Sequence, residues 1–260
     1  MLAASSISSV ASAAFQLSKP LAAAVEAIRW PAQPPPSLLY LPLDTLAAAR
    51  RLNQVPLTQE AEAIAADIDG TIEQMGGNDF ARVAVALLLL GGGGADECHA
   101  LVTPLSWPDG TTFGGPPVDD SPAAAEATHA HALVHRQEAF HVGEFGTGWR
   151  NSAFWYGMAG ELPKQRTARM RALAVTAASG DPERERWVEA NLPTQDSWAP
   201  KALNGLLNDA IMDARAAQQQ ESGKLTPSMR AFAEELSLIE LRVLLDDCLE
   251  QAAADAYAAL

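Results

Sequence analysis

Residues 121–141 read SPAAAEATHAHALVHRQEAFH, and nothing after Pro122 in that stretch breaks a helix. Ser121 or Pro122 opens it, alanine supports it, and Gly143 is placed to end it as a left-handed C′ residue. The spacing therefore predicts a central helix over Ala123–His141. At about 100° per residue, His131, His135 and Glu138 fall on one face of that helix, and His129 points almost the opposite way.

The flanking sequence has the same character. Upstream, Asp44 and Thr58 are N-caps for predicted helices over Thr45–Leu52 and Gln59–Met75, the second stopped by Gly76 and Gly77. Asn78 or Asp79 begins an apolar helix through Leu90, and Gly91–Gly94 then reads as a flexible loop. Residues 107–122 hold four prolines and three glycines and predict irregular structure. Downstream, Gly143, Gly146 and Gly148 mark a turn. Helices are expected over Lys164–Ala178, Pro182–Ala190, Pro200–Gln219 and Ser228–Tyr257.

The fold class is all-α, mostly helical, with short strands allowed only near Leu38–Leu41 and Ala100–Val102. The expected organisation is an N-terminal helix and proline-rich arm over 1–36, ending in PAQPPP at Pro31–Pro36, then a single helical domain over 37–260 with its candidate site in 96–155.

Composition narrows the partners. The 260 residues are 48% hydrophobic, enough for a large core without disulfides. Eighteen basic against 32 acidic side chains give a formal charge of −14, which repels a phosphate backbone. No nucleic acid is expected. No membrane partner is expected either, because the longest apolar run, Val83–Leu90, is far shorter than the roughly 20 residues of a spanning helix.

Cys98 and Cys248 are the only thiols. They form no CxxC pair and fit an intracellular, reduced protein, although spacing leaves a bridge between them open. Residues 1–25 are rich in Ala and Ser with Lys19 as the sole charge. That fits a retained helix or, in part, a plastid or mitochondrial transit segment on an otherwise cytoplasmic chain.

All five histidines, His99, His129, His131, His135 and His141, fall within 43 consecutive residues, together with Asp96, Glu97, Glu138 and Glu144. Neutral nitrogen and anionic oxygen donors with few competing cations are what a divalent metal requires. His131 and His135 form an HxxxH pair about 6 Å apart along the axis. The predicted ligands are His99, His131 and His135, with zinc first and iron or manganese second, and one position left for water or substrate.

Glu138 and Glu97 are the candidate proton carriers, and Arg150 a candidate grip for an anionic group on a small-molecule substrate. The chemistry expected is hydrolysis or elimination by activated water. A non-haem iron oxidoreductase and a non-enzymatic ligand-binding protein are the alternatives.

Familiar motifs are not met. Ala132 stands where an HExxH protease needs glutamate, and Ala139 where the reversed HxxEH form needs histidine. The Asp96–His99 tetrad DECH has no phosphate loop before it, and GEFGTGW at 143–149 lacks the third glycine of a dinucleotide turn. Asp67 and Asp69, in ADIDGT, resemble a phosphatase nucleophile motif without the strand that precedes it.

Eight of the 16 aromatic residues lie between Trp107 and Tyr156, the usual lining of a small-molecule pocket. The last helix, with Phe232, Leu236, Ile239, Val243 and Leu244 recurring on one face, is a packing helix that also suits a homodimer.

The block Glu97–Trp155, containing ECHALVTPLSWP, FGGPP, HALVHRQE and GEFGTGWRNSAFW, is similar to a group of uncharacterised proteins of plants, algae and fungi. That resemblance implies no activity. In geometry alone, three histidines with HxxxH on one helix resemble the all-α metal-binding bundles of the DinB-like class.

Overall fold

A computed structural model of the chain describes residues 55–107, 109–140, 148–219 and 221–258. Every regular element among them is a helix, as the all-α reading requires. The predicted N-terminal helix and arm, the helix over Thr45–Leu52 and the strand near Leu38–Leu41 lie outside the described residues. The chain divides into two compact units, and two helices run continuously from one unit into the other.

The first unit contains α1 (Gln59–Ala66), α2 (Ile68–Gln74), α3 (Asp79–Gly91), α4 (Ala95–Ser106), the start of α5 (Ala124–Glu138) and the end of α10 (Pro227–Ala258). Its centre is α3. From Val83 to Leu89 every side chain is inaccessible to solvent, as expected of a helix apolar all round, and α1, α2 and α4 pack against it. Asn78 fixes the entry: its Oδ1 accepts from Ala81 N (2.9 Å), and its Nδ2 donates to the Ala252 carbonyl on α10 (3.0 Å).

Three local expectations change here. The helix predicted over Gln59–Met75 is broken at Asp67, whose backbone leaves helical geometry (φ −149°) and whose carboxylate caps α2 through Gly70 N (3.0 Å). The glycine run is not a flexible loop. Gly91–Gly94 is buried, Gly92 lies so close to Ala61 that a Cβ would come within 2.4 Å of the alanine methyl, and its carbonyl accepts from Thr58 N (3.0 Å). Glycine is used for close approach. The strand near Ala100–Val102 is instead the middle of α4, because α3 and α4 pack side by side and leave no sheet partner.

The second unit holds the end of α5, α6 (Gly148–Ala159), α7 (Lys164–Ala178), α8 (Pro182–Asn191), α9 (Pro200–Gln218) and the start of α10. Met170, Leu203, Leu207, Ile211, Phe232 and Leu236 form its core. Asp181 caps α8 through Glu183 N (2.9 Å), and proline opens α8, α9 and α10 at positions where its missing N–H costs nothing.

A buried polar network runs through this core. Arg136 donates to Glu240 Oε2 (2.6 Å), to Asn204 Oδ1 (2.7 Å) and to the Tyr156 hydroxyl, while Tyr156 and Trp198 both donate to Glu240 Oε1 (2.7 and 3.0 Å). Both charges are compensated, which is the condition for burying them. The turn marked by Gly143 and Gly146 lies outside the described residues, and no helix was expected over α6. Its two glycines and mixed aromatic sequence hide the periodicity that the other helices show.

Candidate metal centre

Helix α5 is continuous through Ala124–Glu138, so the predicted face carrying His131, His135 and Glu138 exists as one rod. His131 and His135 are buried on it, and His99 approaches from the first turns of α4, half-buried. One ring nitrogen from each of His99, His131 and His135 lies within 4.8 Å of the other two. The three predicted ligands are therefore brought together. His129, excluded by helical phase, is buried elsewhere, and His141 lies outside the described residues.

Hydrogen bonds engage one nitrogen of each buried ring. The Ser106 hydroxyl lies 2.9 Å from the Val102 carbonyl, to which it can donate, and 2.9 Å from His131 Nδ1. With that nitrogen engaged, Nε2 is the one left to face the cluster. His135 Nδ1 is 2.5 Å from Glu138 Oε2, so a carboxylate engages this ring at the same nitrogen. His135 also stacks on Trp155 at 6.2 Å, with the rings 15° from parallel. A polar partner behind one ring nitrogen orients the ring and leaves the other nitrogen to face a metal ion.

Helix α4 carries His99 and Ser106 two turns apart on one face, and both touch His131, His99 edge-on with ring centres 4.7 Å apart. Pro104 lies within this helix and removes the donor that the Ala100 carbonyl would otherwise receive. The loop after α4 uses that gap. Val118 N donates to the Pro104 carbonyl (3.0 Å), and Gly114, with φ +79°, packs so closely on Ala100 that a Cβ would fall 1.9 Å from its oxygen. This contact seats Phe113 on the His99 ring, with centres 4.9 Å apart.

The other candidates are placed differently. Glu138 stands behind His135 and is not among the converging groups. Glu97 is two residues, about 200°, from His99 on α4, and its carboxylate lies over Gly94. Arg150 is exposed on α6 in the second unit. Cys98, next to His99 in sequence, faces the core with its thiol raised well above the ordinary range by burial and by the nearby Glu97 charge. Such a thiol is neither ligand nor nucleophile.

Sequence reasoning missed Ser106 and Phe113. Ser106 shares a helical face with His99 and was legible once α4 was recognised as a helix. Phe113 depends on how the proline- and glycine-rich loop folds back, for which no local periodicity exists.

Compared with family models, curated proteins and solved structures, the chain matches none. Among the described residues no helix is long and apolar enough to cross a membrane.

Proposed function

We propose that His99, His131 and His135 bind a divalent metal, zinc in preference to iron or manganese, and that the protein uses it as a hydrolase or lyase acting on a small molecule. The observation that carries this reading is the convergence of three imidazole nitrogens within 4.8 Å, two of them on rings whose Nδ1 is engaged from behind.

The donor set fits. Tetrahedral zinc bonds of about 2.0–2.1 Å put ligand nitrogens roughly 3.3 Å apart. The three nitrogens lie within 4.8 Å of one another. Three nitrogens with no carboxylate in the converging group favour zinc over the two-histidine, one-carboxylate set of non-haem iron. A three-histidine site leaves a fourth position open, and zinc there lowers the pKa of coordinated water to about 7.

The chain's own residues hold and orient. Glu138 fixes His135 and raises its basicity, Ser106 fixes His131, and burial of both rings keeps bulk water from competing. Glu138 is on this account a positioning residue rather than the base that takes the substrate's proton.

The test compares zinc-loaded and chelator-stripped protein on activated esters and amides of small acids, alongside His131→Ala. Zinc-dependent turnover that is lost on stripping, restored by zinc and abolished in the variant supports the reading. Turnover indifferent to chelation and to the variant overturns it.

A further inference from the structure

The two units differ sharply in charge. Among the described residues, the second unit balances thirteen acidic side chains with thirteen basic ones. The first unit, which supplies His99 and His131, has sixteen acidic side chains and one basic, Arg82. Arg82 is turned inward, donating to the Leu101 carbonyl (2.8 Å). From Val83 to His135 the chain contains no Lys or Arg at all, while Asp109, Asp119 and Asp120 stand exposed on the loop that carries Phe113.

His131 and His135 are buried and His99 is not, so the cluster meets solvent on the side of His99. Phe113 lies over that ring with 48% of its surface still exposed, and Trp107, at the start of the same loop, is 46% exposed. A half-exposed aromatic on a loop that carries Asp109, Asp119 and Asp120 and no basic side chain is suited to a cation, which the ring face attracts and the field concentrates.

We propose that the surface over His99 and Phe113 binds a small organic cation of the alkylammonium type, and that the substrate of the metal centre carries such a group. The substrate assignment rests on the metal reading. The cation preference does not, because it follows from Phe113 and the charge of the first unit.

Choline, its neutral isostere 3,3-dimethylbutan-1-ol and the anion 3,3-dimethylbutanoate separate charge from shape. Titration of the full chain by calorimetry or ligand-observed NMR, in zinc-loaded and stripped protein, should give choline binding about 3- to 10-fold tighter than the alcohol, the range expected from a cation–π contact. Binding should weaken as salt rises. Phe113→Leu, which keeps apolar bulk and removes the π face, should abolish the difference.

Equal affinity for choline and the alcohol, tighter binding of the carboxylate, or an unaltered preference in Phe113→Leu would each overturn the proposal. A cation preference retained in stripped protein that also fails to take up zinc would sink the metal reading and leave the cation site standing.

Discussion

His135 Nδ1 lies 2.5 Å from Glu138 Oε2, one turn further along the same helix, and this contact gives His135 a single forward-facing nitrogen. The sequence separation of three residues makes the pair a property of α5 itself rather than of how other helices pack on it.

Glu138→Gln keeps shape and an acceptor oxygen but removes the charge. Zinc affinity should fall by about 10- to 100-fold, the usual cost of losing a partner behind a ligating histidine. Competition with a chromophoric chelator measures it, with far-UV circular dichroism unchanged. Undiminished affinity would mean that His135 is not a ligand.

Ser106→Ala removes the hydroxyl that engages His131 Nδ1. Nitrogen chemical shifts of His131 in the metal-free protein should then show a changed ratio of the two tautomers. Zinc affinity should drop by roughly 10-fold, the lower end of the range, because a hydroxyl orients less strongly than a carboxylate.

Gly114→Ala places a methyl against the Ala100 carbonyl at a backbone angle that L-residues avoid. The cost should be at least about 1–3 kcal/mol, read from urea unfolding. In the folded fraction Phe113 leaves His99, so the choline preference should disappear while zinc still binds. Loss of zinc instead would show that the loop builds the metal site and does not merely cover it.

Tyr156 is pushed well above its ordinary range, chiefly by burial, with Glu240 adding to the effect and Arg136 opposing it. Since the unfolded chain ionises this phenol at about pH 10, the unfolded state carries fewer protons than the folded one above that pH. Stability must therefore fall as pH rises beyond about 10. An ultraviolet titration should show one of the three tyrosines failing to ionise until the protein unfolds, and Tyr156→Phe should remove that component.

Much of the fold was legible because α3, α8 and α9 announce their starts locally through Asn78, Pro182 and Pro200, and α7 and α9 have alanine-rich interiors. Asp67 was read as helical because its alternative role, accepting from Gly70 N, competes with the helix only through a side-chain bond that composition does not reveal. That His131 and His135 share one face of α5 was legible from helical phase alone. His99 was named from its proximity in sequence, and its convergence with the pair depends on α4 reaching α5, a tertiary fact. Within α4, Glu97 and His99 fall on different sides, a separation that follows only once Ala95–Ser106 is recognised as a helix.

The most direct measurement is the metal content of purified full-length protein after equilibration with zinc and removal of excess, set beside His131→Ala and His135→Ala. About one zinc per chain in the wild type, and a small fraction of that in both folded variants, is what a three-histidine centre predicts. Less than about 0.2 metal per chain in folded wild-type protein, or equal content in all three, would contradict it.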